Sequence, residues 1–247
     1  MEFKEVLKKD LDKKEIAIGS RSGRNGIYKI DLNNISSVVI TGETGAGKSV
    51  LIRQMLKQFD DNYTFEELSY VIIDTSGVEL LEYKDNNKTL LSAYNDLDES
   101  QELLFKVSEE IDRRKHDILL EYSEISIDDY NENNKKNIPY LVVVVDDNQS
   151  LLNKEDVSSM VNKIIDKLDV RLNVFFILAT NNVYNEMFEN YKDKANNIRI
   201  AFDHAEPEAA DLAGMPFAED LELRKILIYD AKGFKEFNRF DLIEDNI

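Results

Sequence analysis

"VVITGETGAGKSV", residues 38–50, is the stretch on which the fold turns. Four β-branched residues lead in, three of the chain's nine glycines follow between positions 42 and 47, and Lys48-Ser49 opens the next segment. Gly42-Glu43-Thr44-Gly45-Ala46-Gly47-Lys48-Ser49 fulfils G-x-x-x-x-G-K-[ST] at every fixed position. Glycines let the backbone curl so that successive N–H groups point inward at phosphate oxygens. A helix opening behind the loop adds its positive dipole end to the same anion. Lys48 reaches the outer phosphates, and the Ser49 hydroxyl is placed to hold Mg2+. At average residue usage such a match arises by chance in about one chain of this length in a hundred. Here it also follows an apolar strand and opens a helix with Val50, Leu51, Met55 and Leu56 as its inner face. The expected ligands are ATP and Mg2+, cradled by residues 42–50.

Working outward, strand candidates lie at 37–40, 70–74, 140–146, 174–180, 198–202 and 226–229. They are nearly unbroken apolar runs, as in strands buried on both faces of a parallel sheet. Between them, Val157, Met160, Val161, Ile164, Ile165 and Leu168 recur at helical spacing over 154–168, with Asn153 as a candidate N-cap. Over 100–122, Leu104, Val107, Ile111, Ile118 and Tyr122 form a second stripe and leave "EEIDRRKHD" on the wet side. Residues 123–139, "SEISIDDYNENNKKNIP", read as a polar loop. This alternation predicts a doubly wound α/β fold, a mostly parallel sheet flanked by helices, with ligands beyond the carboxyl ends of the strands.

Two other strand ends carry candidate chemistry. "YLVVVVDD" ends in Asp146 and Asp147. Beside a phosphate loop, the first acid of such a pair holds Mg2+ and the second polarises the attacking water. The plainer reading is a polar strand exit or a helix cap. "LATNN" ends in Thr180, Asn181 and Asn182, which would face the γ-phosphate if this strand lies beside that of the phosphate loop. The plainer reading there is an asparagine-rich turn.

Composition sets the outer bounds. With 247 residues and a 43% hydrophobic fraction, the chain suits one large α/β domain or two small ones. No run approaches ~18 apolar residues, and the N-terminus mixes both charges without an apolar core, so neither a membrane span nor a signal peptide is expected. The absence of cysteine excludes disulfides and thiolate metal sites and fits a cytoplasmic location. His116 and His204 lie far apart in sequence, which argues against a histidine metal site. Against 31 Lys+Arg stand 49 Asp+Glu, a formal net charge of −18. That balance speaks against a large passive DNA-binding face.

Taken in order, these motifs resemble the motor domain of the FtsK/SpoIIIE family, ring-forming DNA translocases within the FtsK–HerA group of P-loop ATPases. The resemblance runs from about residue 15 to about residue 230. Its discriminating parts are "YVIIDTSGVELLEY" (70–83), the paired arginine and following "YN" loop of "SEEIDRRKHDILLEYSEISIDDYNEN" (108–133), then "IPYLVVVVDDNQSLL", "FFILAT" and "NNIRIAF". The resemblance implies a RecA-like sheet, with 31–247 as a single motor domain and 1–30 as a segment packed on it. It implies a hexameric ring around double-stranded DNA. It carries Gly42, Gly45, Gly47, Lys48 and Ser49 to phosphate and Mg2+, Asp146 to the metal side, Asp147 to the catalytic acid and Asn181 to the γ-phosphate sensor.

The departures from the family pattern bear on rate. The family usually has Glu at the place of Asp147, and Gln-Arg-Pro where this chain has Asn181-Asn182-Val183. The family's arginine that reaches into a neighbouring site aligns on Val170, leaving Arg171, one residue on, as the candidate. A misplacement of about 1 Å in a positioning group lowers rate by about a hundredfold, so binding is a safer expectation than fast hydrolysis. No membrane segment precedes the motor and no winged helix follows it, so a membrane or DNA-reading partner protein is expected to supply them.

The expected activity is ATP-driven movement along duplex DNA. The basic contact candidates are Lys9, Lys13, Lys14, Arg113, Arg114, Lys115, Lys135 and Lys136, each of which also reads as solvated surface. The alternatives are a secretion-type ATPase moving polypeptides and a weakly hydrolysing nucleotide-binding assembly subunit.

Overall fold

The computed structural model describes residues 11–20, 26–120, 125–147, 151–183, 191, 196–204, 206–221, 225–230 and 233–239. Among these, ten strands form one sheet: β1 (Glu15–Ser20), β2 (Ile27–Asp31), β3 (Ser37–Thr41), β4 (Leu68–Asp74), β5 (Thr89–Tyr94), β6 (Tyr140–Asp147), β7 (Val174–Thr180), β8 (Asn197–Ala201), β9 (Lys225–Asp230) and β10 (Gly233–Arg239). The strand order is β2-β1-β10-β9-β8-β3-β7-β6-β4-β5. From β8 to β5 every pairing is parallel, while β9, β10, β1 and β2 continue the sheet antiparallel. The helices are α1 (Lys48–Asn62), α2 (Leu97–Arg113, running on as a wider π turn over Arg114–Leu120), α3 (Ile127–Asn134), α4 (Glu155–Lys167) and α5 (Pro207–Leu212).

The apolar runs are continuous because the parallel half is covered twice. Val38, Ile40, Val142, Val144, Phe175 and Ile177 pack with Leu51, Ile52, Met55 and Phe59 of α1. Val39, Val143, Val145, Phe176 and Leu178, one step out of phase, pack with Leu104, Val107 and Ile111 of α2 and Val157, Val161 and Ile164 of α4. Side chains alternate across a strand, so a strand with helices on both faces must be apolar at successive positions. β1 is fixed to α1 by Gln58, whose amide donates to Ala17 O at 2.9 Å and accepts from Ala17 N at 2.8 Å. The order also explains where a ligand goes. Between β3 and β4 the chain crosses over β7 and β6, and the carboxyl end of β3 opens onto the phosphate loop, as expected at a switch point.

Several expectations need correction. Residues 127–134 form α3 rather than a polar loop, because the Ser126 side chain caps it and Ile127 and Tyr130 are buried beneath it. The 226–229 strand pairs antiparallel to β8, since burial on both faces does not set direction and β9 turns straight back into β10. The N-cap position of α4 falls on Lys154 with no side-chain cap; Asn153 instead accepts from the amide of Asn182. Val50 is only half buried and faces the phosphate pocket, leaving the α1 core face to Leu51, Ile52, Met55, Leu56 and Phe59. Ile118 lies outside the described side chains and Tyr122 outside the described residues.

The paired arginines part company. Arg114 is not on the wet side of its helix but 2% exposed. Its guanidinium donates to Leu172 O, Asn173 O and Pro139 O at 2.9–3.0 Å and to Glu110 at 2.8 Å. It thereby ties α2 to the amino ends of β6 and β7. Arg113 stays outside, on the same Glu110.

Candidate nucleotide-binding site

The phosphate loop leaves β3 at Thr41 and enters α1 at Lys48. Gly42, Gly45 and Gly47 all take positive φ, at 143°, 81° and 111°. At Gly42 the need for glycine is also spatial: a Cβ would come within 2.7 Å of the Phe202 Cβ. The end of β8 supports the loop from behind. Phe202 N donates to Thr41 O, Glu43 N donates to Asp203 O at 3.1 Å, and the buried His204 ring meets the Thr41 hydroxyl at 3.1 Å. Burial lowers the His204 pKa, so the ring is neutral in this role. No described side chain caps α1. Its first-turn N–H groups are therefore available to an anion.

Thr44, Gly45, Gly47, Lys48, Ser49, Val50, Glu79 and Asn181 line a cavity of about 400 Å³. Lys48 is buried, and its ammonium donates to Gly42 O and Glu43 O at 2.9 and 3.0 Å. Burial lowers its pKa, and the charges of Asp146 and Glu43 oppose that. β7 lies beside β3 in parallel register, and Asn181 just beyond β7 reaches the loop, its amide donating to the Thr44 hydroxyl at 2.8 Å.

Alternation along β6 separates the two aspartates. Val142 and Val144 face α1, and Asp146 follows in the same phase; Val143 and Val145 face α2 and α4, and Asp147 follows them. Asp146 is fully buried on the side of Ser49 and Lys48. Burial pushes its carboxyl up to about 6, and Asp74 and Glu79 add to that. The Ser49 hydroxyl and Lys48 pull the other way, yet neither Asp146 oxygen completes a hydrogen bond with a described residue. Two orphaned carboxylate oxygens beside a serine hydroxyl suit Mg2+, which keeps waters and substrate phosphates in its shell and takes only one or two carboxylates. Asp147 accepts from Leu151 N at 3.1 Å, Leu152 N at 3.2 Å and the Thr75 hydroxyl at 3.4 Å. Its carboxylate is engaged by the turn after β6, and it is not among the residues lining the cavity.

Arg171 sits before the amino end of β7, the opposite edge of the sheet from the phosphate loop. Its guanidinium is held by Asp169 at 2.5–3.0 Å. Within one chain it is no part of the cavity. Of the basic candidates, Lys13 pairs with Glu67, Lys14 with Asp128 and Arg113 with Glu110, while Lys115, Lys135 and Lys136 are exposed and Lys9 lies outside the described residues. Glu79 was missed. "GVEL" marked the strand exit in sequence, but only the fold brings that exit alongside α1.

The sequence model of the FtsK/SpoIIIE family matches residues 4–210. DNA translocase FtsK of Helicobacter pylori (strain J99) is 30% identical over 159 residues, covering 61% of this chain and 19% of that protein. DNA translocase FtsK of Leptospira interrogans is 27% identical over 187 residues, covering 70% and 19%. The chain thus spans about a fifth of the length of these relatives. Among solved structures, the pCW3 conjugation coupling protein TcpA, in its monomer form with ATPγS, superposes with TM-score 0.73 at 20% identity over 96% of this chain and 68% of that one. The cytoplasmic domain of the Thermomonospora curvata type VII secretion ATPase EccC gives 0.78 at 18% identity, over 100% and 33%. At these identities the likeness is one of fold. The family match covers most of the chain and both parts of the site, the phosphate loop and the acidic end of β6: the chain belongs to the FtsK/SpoIIIE family.

Proposed function

We propose that this chain is an ATP-hydrolysing motor core that moves double-stranded DNA, working as a ring-shaped oligomer. The observation that carries the reading is the pairing of a complete phosphate loop with a buried Asp146, across from Ser49, whose oxygens accept no hydrogen bond from a described residue. In the proposed site the loop amides and Lys48 hold the β- and γ-phosphates, and Ser49 and Asp146 hold Mg2+. Mg2+ when bound neutralises charge that develops on the phosphoryl oxygens. Asn181 reads the γ-phosphate from β7 and releases Thr44 to do so. Arg171 serves a neighbour's site, because its own lies at the other edge of the sheet. Asp147 orients the attacking water only if the turn at 151–152 gives up its carboxylate, which supports slow basal turnover and acceleration on assembly.

A polypeptide substrate is the second reading, favoured by the net charge of −18 and by the internal pairing of Lys13, Lys14 and Arg113. ATP turnover with and without linear duplex DNA, over a range of salt, tests between them. The expected result is stimulation by DNA that fades as salt rises, with Lys48→Ala losing both nucleotide affinity and turnover. Stimulation by a secreted peptide and not by DNA overturns the first reading. A Lys48→Ala variant that binds ATP like the parent overturns the site.

A further inference from the structure

We propose that Glu79 is a second carboxylate of the phosphate site, a positioning residue that acts on nucleotide through the waters of bound Mg2+. This rests on the nucleotide reading of the cavity and extends it to a side chain outside the phosphate loop and the β6 acids.

The first ground is placement. Glu79 belongs to the loop after β4, two strands from β7, yet it shares a cavity wall with Lys48, Ser49 and Asn181. The second is rigidity. Asp74 gathers the loop: one oxygen accepts from Ser76 N, the Ser76 hydroxyl and Gly77 N at 2.6–3.0 Å, and the other accepts from Leu80 N at 2.9 Å. Gly77 takes φ 75°, and a Cβ there would lie 2.8 Å from that of Asn95. On the other side Arg53, one turn along α1 from Ser49, donates to Glu79 O at 3.4 Å. These contacts hold the Glu79 backbone beside the start of α1, and the Glu79 carboxylate accepts no hydrogen bond from a described residue.

The third ground is electrostatic. Asp146, Glu43 and Glu79 act on Lys48, Asp74 and Glu79 act on Asp146, and neither Asp146 oxygen accepts a hydrogen bond from a described residue. A further carboxylate beside a triphosphate is repulsive when no cation is present. With a divalent cation between them the sign reverses. Mg2+ commonly keeps several waters, and carboxylates that accept from such waters tune metal affinity. Asp147, turned to the other face of the sheet, leaves this place open to Glu79.

The test is binding of a fluorescent, non-hydrolysable ATP analogue to the whole chain, in EDTA and in excess Mg2+. Glu79→Gln keeps size and the backbone contacts of the loop. In EDTA it is expected to bind as tightly as the parent or up to a few-fold tighter. In Mg2+ it should bind about tenfold more weakly, and Glu79→Asp should recover part of the Mg2+ gain. An equal loss in both conditions would mark a merely structural role and overturn the proposal. So would an unchanged gain from Mg2+. If the parent itself fails to bind the analogue, the nucleotide reading falls and this proposal with it. If the parent binds and gains from Mg2+ while Glu79→Gln matches it, this proposal falls alone.

Discussion

Asp146, the proposed metal-side acid, burdens the fold that holds it. Its pKa is raised from 3.8 to about 6, mainly by burial. A raised acid pKa favours the folded state only while the group is protonated, so the ionised form destabilises the nucleotide-free chain as pH rises from about 4 through about 6. A shift of that size corresponds to about 3 kcal/mol. Asp146→Asn is therefore expected to melt several degrees higher than the parent at pH 8 without nucleotide, with the gap shrinking to about a third near pH 4.5. Thermal unfolding at the two pH values reads this directly. A gap of the same size at both would mean that the charge is not its cause. The stretch "VVITGETGAGKSV" and Asp146 stand out in the sequence because the chemistry proposed for them needs fixed residue types at fixed spacing. The role of Asp147 was harder to read. Only the parity of β6 shows that neighbouring aspartates look into different layers, and no spacing rule brings Glu79 beside Ser49.

At the level of elements, continuous apolar runs identified β3, β4, β6, β7 and β8, since each lies between two helical layers. β5 escaped because "TLLSAY" is only half buried at the sheet edge, and β2 for the same reason. Periodicity placed Leu104, Val107 and Ile111 on the inner stripe of α2, and Arg114, three residues beyond Ile111, falls on that stripe; its charge alone assigns it to the wet side. The two arginines make a matched prediction. Arg114→Ala strands three carbonyls and half-buried Glu110, and should cost about 3–5 kcal/mol. Arg113→Ala removes one exposed pair and should change stability by at most about 1 kcal/mol. Urea unfolding of both variants decides it, and equal losses would contradict the staple role of Arg114.

For the whole molecule, charge and symmetry matter more than any one contact. A single chain with −18 net charge, and with Lys13, Lys14 and Arg113 paired to its own acids, offers duplex DNA little. The proposed ring changes the count, because each subunit repeats the exposed Lys115, Lys135 and Lys136. It also brings Arg171 to the site it cannot reach at home. Arg171→Ala should leave nucleotide affinity of the isolated chain unchanged and lower turnover at least tenfold where turnover rises with protein concentration. Affinity loss in the isolated chain would contradict action on a neighbour. The most direct test of the central claim is ATP-driven displacement of a triplex-forming third strand from linear duplex DNA. A motor that moves duplex DNA is expected to displace the strand only with ATP and Mg2+, and Lys48→Ala is expected not to displace it. Steady ATP turnover in the presence of duplex with no displacement would contradict the claim.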